Sequence, residues 1–176
     1  MPELALLPMT AAHGQAVLAI YQEGLDSGLA SFRQKAGSWQ DWDRQHLAVW
    51  RWVALDDRET VLGWAALSPY SSRADYAGVA EVSIYVARAR RGQGLGGRLL
   101  GQLIDSAEAA GLWTLQAGIF PENAASVGLH QAHGFRIVGC REKIGRSLAG
   151  PGPGPAPGRW RDVLLLERRS RIVGRD

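Results

Sequence analysis

The chain has 176 residues, of which 46% are hydrophobic and 21% charged, with a formal net charge of +3 at pH 7 and a pI of about 9.4. That length suits one domain with a full core. The mild basicity does not by itself argue for nucleic acid, and it suits an anionic small molecule as well. The single cysteine, Cys140, excludes an internal disulfide and fits a reducing compartment. No apolar run approaches the roughly 20 residues that span a bilayer. Met1 to Met9 lacks a basic start and a small-residue cleavage site, so it reads as a strand, and a cytoplasmic location without membrane or nucleic-acid partners is expected.

In chain order, Leu4 to Leu7 predicts a first strand, and Thr10 caps a helix with its apolar face at Val17, Ile20, Tyr21 and Leu25. Ser38 opens a second helix expected to reach about Val49. Strands follow at Trp52 to Leu55 and Val61 to Leu67, then a polar loop from Pro69 to Gly78. Ala80 to Val86 is the next strand. Val82, Ile84 and Val86 form one face of it, and Glu81, Ser83 and Tyr85 the other. From Gly97 to Ala110 a helix carries the stripe Leu99, Leu100, Leu103, Ile104 and Ala107. Strand Trp113 to Ile119, a helix from Pro121 to His133, and strands Phe135 to Arg141 and Trp160 to Glu167 complete the series. A Gly/Pro-rich loop insertion lies at about 149–158, where neither helix nor ladder can form. The order implies a mixed sheet in one α/β domain spanning 1–176.

The basic glycine-rich turn between the central strand and its helix suits a polyphosphate. Glycine backbone can bend N–H groups toward a ligand, and the helix start adds unpaired N–H groups and a positive dipole end. A Walker A loop fails, because Arg98-Leu99 stands where Lys and Ser or Thr are needed. Gly92, Gly94 and Gly97 meet the dinucleotide fingerprint literally, although Arg88 to Arg91 interrupt its usual setting. Arg91, Gly94 and Gly96 meet the Arg-x-x-Gly-x-Gly pattern of acyl-CoA-dependent N-acetyltransferases.

The Arg91-to-Gly96 loop, Asn123 and Gly134-Phe135 resemble the GNAT acetyltransferase superfamily. Ser31-Phe32, Arg73, Tyr76, the Glu81-to-Val86 strand, Leu129-His130 and Gly158-Arg159-Trp160-Arg161-Asp162-Val163 are similar to phosphinothricin and methionine sulfoximine N-acetyltransferases. The resemblance covers nearly the whole chain and departs from it at the Gly/Pro insertion. It implies a GNAT fold: a mostly antiparallel sheet flanked by helices, with a splayed central strand pair. It also implies acetyl-CoA as co-substrate, no metal, a small amino acid analogue as amine and a homodimer; the seven tryptophans fit such a contact. Acetyl-CoA would be held by Ile84, Tyr85, Val86, Arg91, Gly92, Gln93, Gly94, Leu95, Gly96, Gly97, Asn123 and Ser126.

Acetyl transfer needs a neutral amine, a polarised thioester and a proton for the thiolate. Glu81, on the polar face of the central strand, is the candidate base, directly or through water; the alternative is an ion pair with an arginine. His130 stands where the superfamily often has a tyrosine acid, and either protonates the thiolate, orients substrate or is a satisfied half-buried histidine. Arg73 with Tyr76 offers a clamp for an anionic substrate, and Phe32, Trp160 and Val163 are expected as pocket walls. Acetylation of a polyamine, an antibiotic or a protein N-terminus, and acyl-CoA binding without turnover, remain open at this level.

Overall fold

The computed structural model describes residues 4–148 and 156–174; the Gly/Pro-rich insertion falls largely outside them. The elements run β1 (Ala5–Pro8), α1 (Gly14–Asp26), α2 (Trp39–Gln45), β2 (Arg51–Leu55), β3 (Val61–Pro69), β4 (Val79–Val86), α3 (Leu95–Ala109), β5 (Thr114–Ile119), α4 (Ala124–Ala132), β6 (Arg136–Arg146) and β7 (Trp160–Arg169). One seven-stranded sheet has the order β1-β2-β3-β4-β5-β7-β6. Its neighbours are antiparallel except β4 and β5, which pair in parallel. The expected mixed, mostly antiparallel sheet with flanking helices is therefore what forms.

Strand alternation sorts the two faces. Ala54, Ala65, Leu67, Ala80 and Val82 turn toward α3, whose stripe of Leu99, Leu100, Leu103, Ile104 and Ala107 is buried against them. Each fully buried leucine there contributes roughly 1.5–3 kcal/mol. The opposite face is aromatic: Val53, Trp64 and Ala66 pack with Val17, Ile20, Tyr21 and Leu25 of α1 and with Trp42 of α2. The Trp64 indole N–H donates to the Val17 carbonyl at 3.1 Å, fixing α1 to β3.

Several element ends differ from expectation for local reasons. Helix α2 stops at Gln45, because His46 has extended backbone angles and its ring nitrogen returns to the Trp42 carbonyl at 2.7 Å. Helix α3 starts at Leu95, two residues early, since left-handed Gly94 (φ 76°) forms its N-cap. Strand β6 continues to Arg146 against β7, with register shifts at Ile137/Gly139 and Arg141/Gly145. Among the described residues no helix is long and apolar enough to cross a membrane, and no group of three metal-ligating side chains forms.

Candidate active site

Strands β4 and β5 pair over three positions only, Val79 with Thr114, Ala80 with Leu115 and Glu81 with Gln116. Beyond Glu81 they part. Strand β4 stays on β3 as far as Val86 opposite Gly63, while β5 stays on β7 as far as Ile119 opposite Leu164. A cleft of about 1070 Å³ occupies the gap, lined along one side by Glu81 to Val86. Backbone groups of the parted segment that have lost their ladder partners must find others.

At one end of the cleft lies the glycine turn. Gly92 and Gly94 have φ of 74° and 76°, the left-handed region that only glycine enters cheaply. The first main-chain bond of α3 runs from the Arg98 N–H to the Gly94 carbonyl, so the N–H groups of Leu95, Gly96 and Gly97 have no acceptor in the helix. At Gly96 a Cβ would come within 3.2 Å of Leu129, so the turn and α4 approach closely. Arg91 donates through Nε to the Val86 carbonyl at 3.2 Å, leaving the rest of its guanidinium to a ligand. These groups fit a pyrophosphate: fixed donors, a helix dipole and a cation. The Gln93 side-chain amide turns back to the Ala89 carbonyl at 3.4 Å, and Gln93 does not line the cleft.

Asn123 and Ser126 line the cleft. The Asn123 side chain is already committed, accepting from the Ser126 N–H as the cap of α4 and donating to the Leu29 carbonyl, both at 3.2 Å. His130 also lines the cleft, yet it is 2% exposed and neither ring nitrogen opens into it. Nδ1 lies 2.8 Å from the Ser126 carbonyl, which assigns the proton to Nδ1; Nε2 has no partner and essentially no accessible surface. Burial holds this imidazole below its ordinary pKa, against the raising effect of the Ser126 bond. With Nδ1 engaged by the Ser126 carbonyl and Nε2 enclosed, the ring presents no N–H to the cleft in this arrangement. The geometry fits a wall residue, edge-on to Phe135 at 5.0 Å.

Glu81, Ser83 and Tyr85 share the α1 side of β4, with Glu81 at the end away from the glycine turn and Tyr85 nearer to it. Glu81 is exposed and, among the described residues, forms no ion pair. Phe32 reaches the cleft, edge-on to Phe120 at 4.9 Å, in a space that exists because Gly145 lacks a Cβ: one would sit 2.5 Å from the Phe32 ring. Val163 lines the cleft as expected. Behind this wall the buried Arg161 guanidinium donates to the Gly28 carbonyl at 2.7 Å, reaches Glu122 at 3.5 Å and lies 3.4 Å over the Phe120 ring. It joins β7, the loop after α1 and the turn before α4.

Three expected substrate residues are not brought to the cleft. Arg73 and Tyr76 flank a 3-10 turn at Ala74–Tyr76 that carries them onto the outer surface. There Arg73 pairs with Asp75 at 3.1 Å and Tyr76 meets Tyr70. Trp160 is half exposed under the Arg146 guanidinium, at the outer end of β7. In their place the cleft gains Tyr21, Arg33 and His46. The last stacks on Trp42 at 3.9 Å, and its pKa is held below the ordinary value mainly by burial, with the Arg51 and Arg33 charges adding to that effect. Arg33 follows Phe32 directly, the one sequence cue to its place; nothing local marks His46.

The chain is similar to the L-methionine sulfoximine/L-methionine sulfone acetyltransferase of Pseudomonas paraeruginosa, with 37% identity over 115 residues, 65% of this chain and 62% of the relative. Against the phosphinothricin N-acetyltransferase of Streptomyces coelicolor, identity is 38% over 117 residues, 66% of this chain and 63% of the relative. The match thus spans less than two thirds of either relative's length. A phosphinothricin acetyltransferase from Sinorhizobium meliloti, solved with acetyl-CoA, superposes with a TM-score of 0.80 at 26% identity, covering 98% of this chain and 96% of that one. Residues 16–135 match the acetyltransferase (GNAT) family, and the parted central strands and glycine turn have the form described above: the chain belongs to the GNAT acetyltransferase family.

Proposed function

We propose that the protein transfers an acetyl group from acetyl-CoA to the amino group of a small amino acid of the phosphinothricin or methionine sulfoximine type. One observation carries this reading: a single cleft has orphan N–H donors of the glycine turn at one end and an unpaired carboxylate, Glu81, where β4 leaves β5. The names of the curated relatives support the choice of acceptor.

In this reading Leu95, Gly96 and Gly97 present their N–H groups, with Arg91, to the pyrophosphate. Acetyl-CoA supplies the activated thioester. The freed backbone of Ile84, Tyr85 and Val86 lies along the acyl arm, where fixed N–H groups stabilise a developing oxyanion. Glu81 receives the proton of the ammonium group, directly or through a water, so that nitrogen attacks the thioester carbonyl with its lone pair free. The C–N bond forms, the C–S bond breaks, and the proton shed by the new amide nitrogen passes through solvent to the departing thiolate. His130 holds α4 against Phe135 and takes no part in proton transfer. A homodimer, tested by light scattering, and a cytoplasmic location, tested by cell fractionation, belong to the same reading.

The deciding experiment measures thiol release from acetyl-CoA with phosphinothricin, methionine sulfoximine, a polyamine and a peptide N-terminus. Turnover with the first two is expected. Release only with the polyamine or peptide replaces the acceptor class, and acetyl-CoA binding without release for any amine makes the protein a non-catalytic binder.

A further inference from the structure

The α1 side of the cleft holds polar groups that the proposed reaction does not use. Tyr21 and Tyr85 both line the cleft; among the described residues neither hydroxyl has a hydrogen-bond partner, and neither is fully enclosed. Their rings meet edge to face at 4.8 Å. Both phenols are pushed up in pKa, first by burial, while the positive charge of Arg33 acts on each in the opposite direction. Both stay protonated and able to donate. Arg33 itself is exposed to the cleft and has no ion pair among the described residues. A guanidinium and two hydroxyls without partners, facing one space, form a donor set for an oxyanion.

This corner is held in place. The Tyr85 ring stacks on Trp64 at 4.9 Å and is covered by α1 at Gly24, where a Cβ would fall 2.5 Å from the ring. Trp64 is in turn bonded to α1. Tyr85 therefore has little freedom, and its hydroxyl is set before any ligand arrives. Glu81 stands four residues back on the same face of β4, roughly 13 Å along the strand. It is the sole carboxylate among the described lining residues. An acid bound at Arg33 thus lies at the far end of the acceptor space from the base, the place of a side-chain acid rather than of the carboxylate beside the amine.

We propose that Arg33, with the hydroxyls of Tyr21 and Tyr85, forms a subsite for the oxyanion of an acidic side chain, so that the protein favours acidic amino acid acceptors over neutral ones. The inference rests on the acetyl-transfer reading for its substrate but can be tested without turnover. Phosphinothricin and methionine sulfoximine share the amino acid end and differ in the head, an anionic phosphinate against a neutral sulfoximine. In wild type the specificity constant favours phosphinothricin. Arg33→Ala raises KM for phosphinothricin about tenfold and for methionine sulfoximine no more than about twofold, as expected when a charge-assisted bond to one head is lost. Arg33→Lys recovers part of the difference, and Tyr85→Phe loses several-fold on phosphinothricin alone. Equal losses on both acceptors overturn the subsite. With glutamate in the same series, a preference for glutamate identifies a carboxylate and a preference for phosphinothricin a phosphinate, and either upholds it. If no amine releases thiol, calorimetric titration of phosphinothricin separates the two readings. Binding to wild type that Arg33→Ala abolishes upholds the subsite while the activity falls; equal binding to both proteins, or none to wild type, overturns the subsite.

Discussion

The two ends of the cleft are built in different ways. The glycine end comes from one continuous stretch, Arg91 to Gly97, and works through main-chain N–H groups that no side chain has to supply. The amine end draws side chains from α1, the loop after it, α2 and β4, and none of these is close to all the others in sequence. A backbone site tolerates changes of side chain and fails on changes of φ. An assembled site tolerates most backbone detail and fails when one wall moves. Such a division lets one end stay constant while the other changes acceptor.

The sharpest way to separate the ends is Glu81→Gln. It removes the base while keeping shape, and kcat should fall about 10²–10⁴-fold with acetyl-CoA affinity unchanged. Full turnover in that variant ends the assignment. Gly94→Ala acts on the opposite end. Its left-handed φ costs a Cβ-bearing residue about 1–2 kcal/mol, so the acetyl-CoA KM should rise about tenfold while the amine KM stays constant. A larger effect on the amine than on acetyl-CoA would mean that the ends are not separate. Gly24→Ala drives a methyl into the Tyr85 ring, at a cost of about 1–3 kcal/mol in stability. Steady-state kinetics should show the amine KM rising several-fold more than that of acetyl-CoA.

The smallest effect lies outside the cleft and serves as a control on both ends. Burial alone pushes the Glu108 carboxyl up, but hydrogen bonds from Arg168 and Ser170 and the Arg168 charge outweigh it, and the group ends below its ordinary value. A depressed carboxyl contributes stability above its unfolded pKa, near 4.3 by the model-peptide scale of about 4.3 for glutamate, and loses it as pH falls through the folded value. Urea unfolding should therefore show wild type losing stability below about pH 4.5 more steeply than Glu108→Gln. Parallel curves would deny the pair its role.

The same division governs what could be read before the fold was known. The stripe from Leu99 to Ala107, the alternation of β4 and the glycine turn are local patterns, and each is present where the residues predict it. Element ends were less legible because they depend on single contacts, such as the His46 ring closing on the Trp42 carbonyl. At the amine end, Phe32 and Val163 reach the cleft while Arg73, Tyr76 and Trp160 do not. A loop or hairpin residue can face either side of its chain, and only the packing of Gly145 on Phe32, or the turn at Ala74–Tyr76, decides which. His46 enters where the chain after α2 meets β3, the Leu47 N–H bonding the Leu67 carbonyl, and Arg33 enters on the loop that the Gln22 side chain ties to α1 at Gln34 and Ala36; neither contact has a sequence signature.

The parting of β4 from β5 has a consequence for how the protein reports its own occupancy. Amides of Ser83 to Val86 that turn toward β5 lie in the most central strand pair, yet they lack the ladder that protects such amides elsewhere in the sheet. In deuterium exchange the middle of this sheet should label as a surface does until acetyl-CoA fills the gap, and then become slow. The centre of the sheet, rather than its rim, is the place where binding can be timed residue by residue.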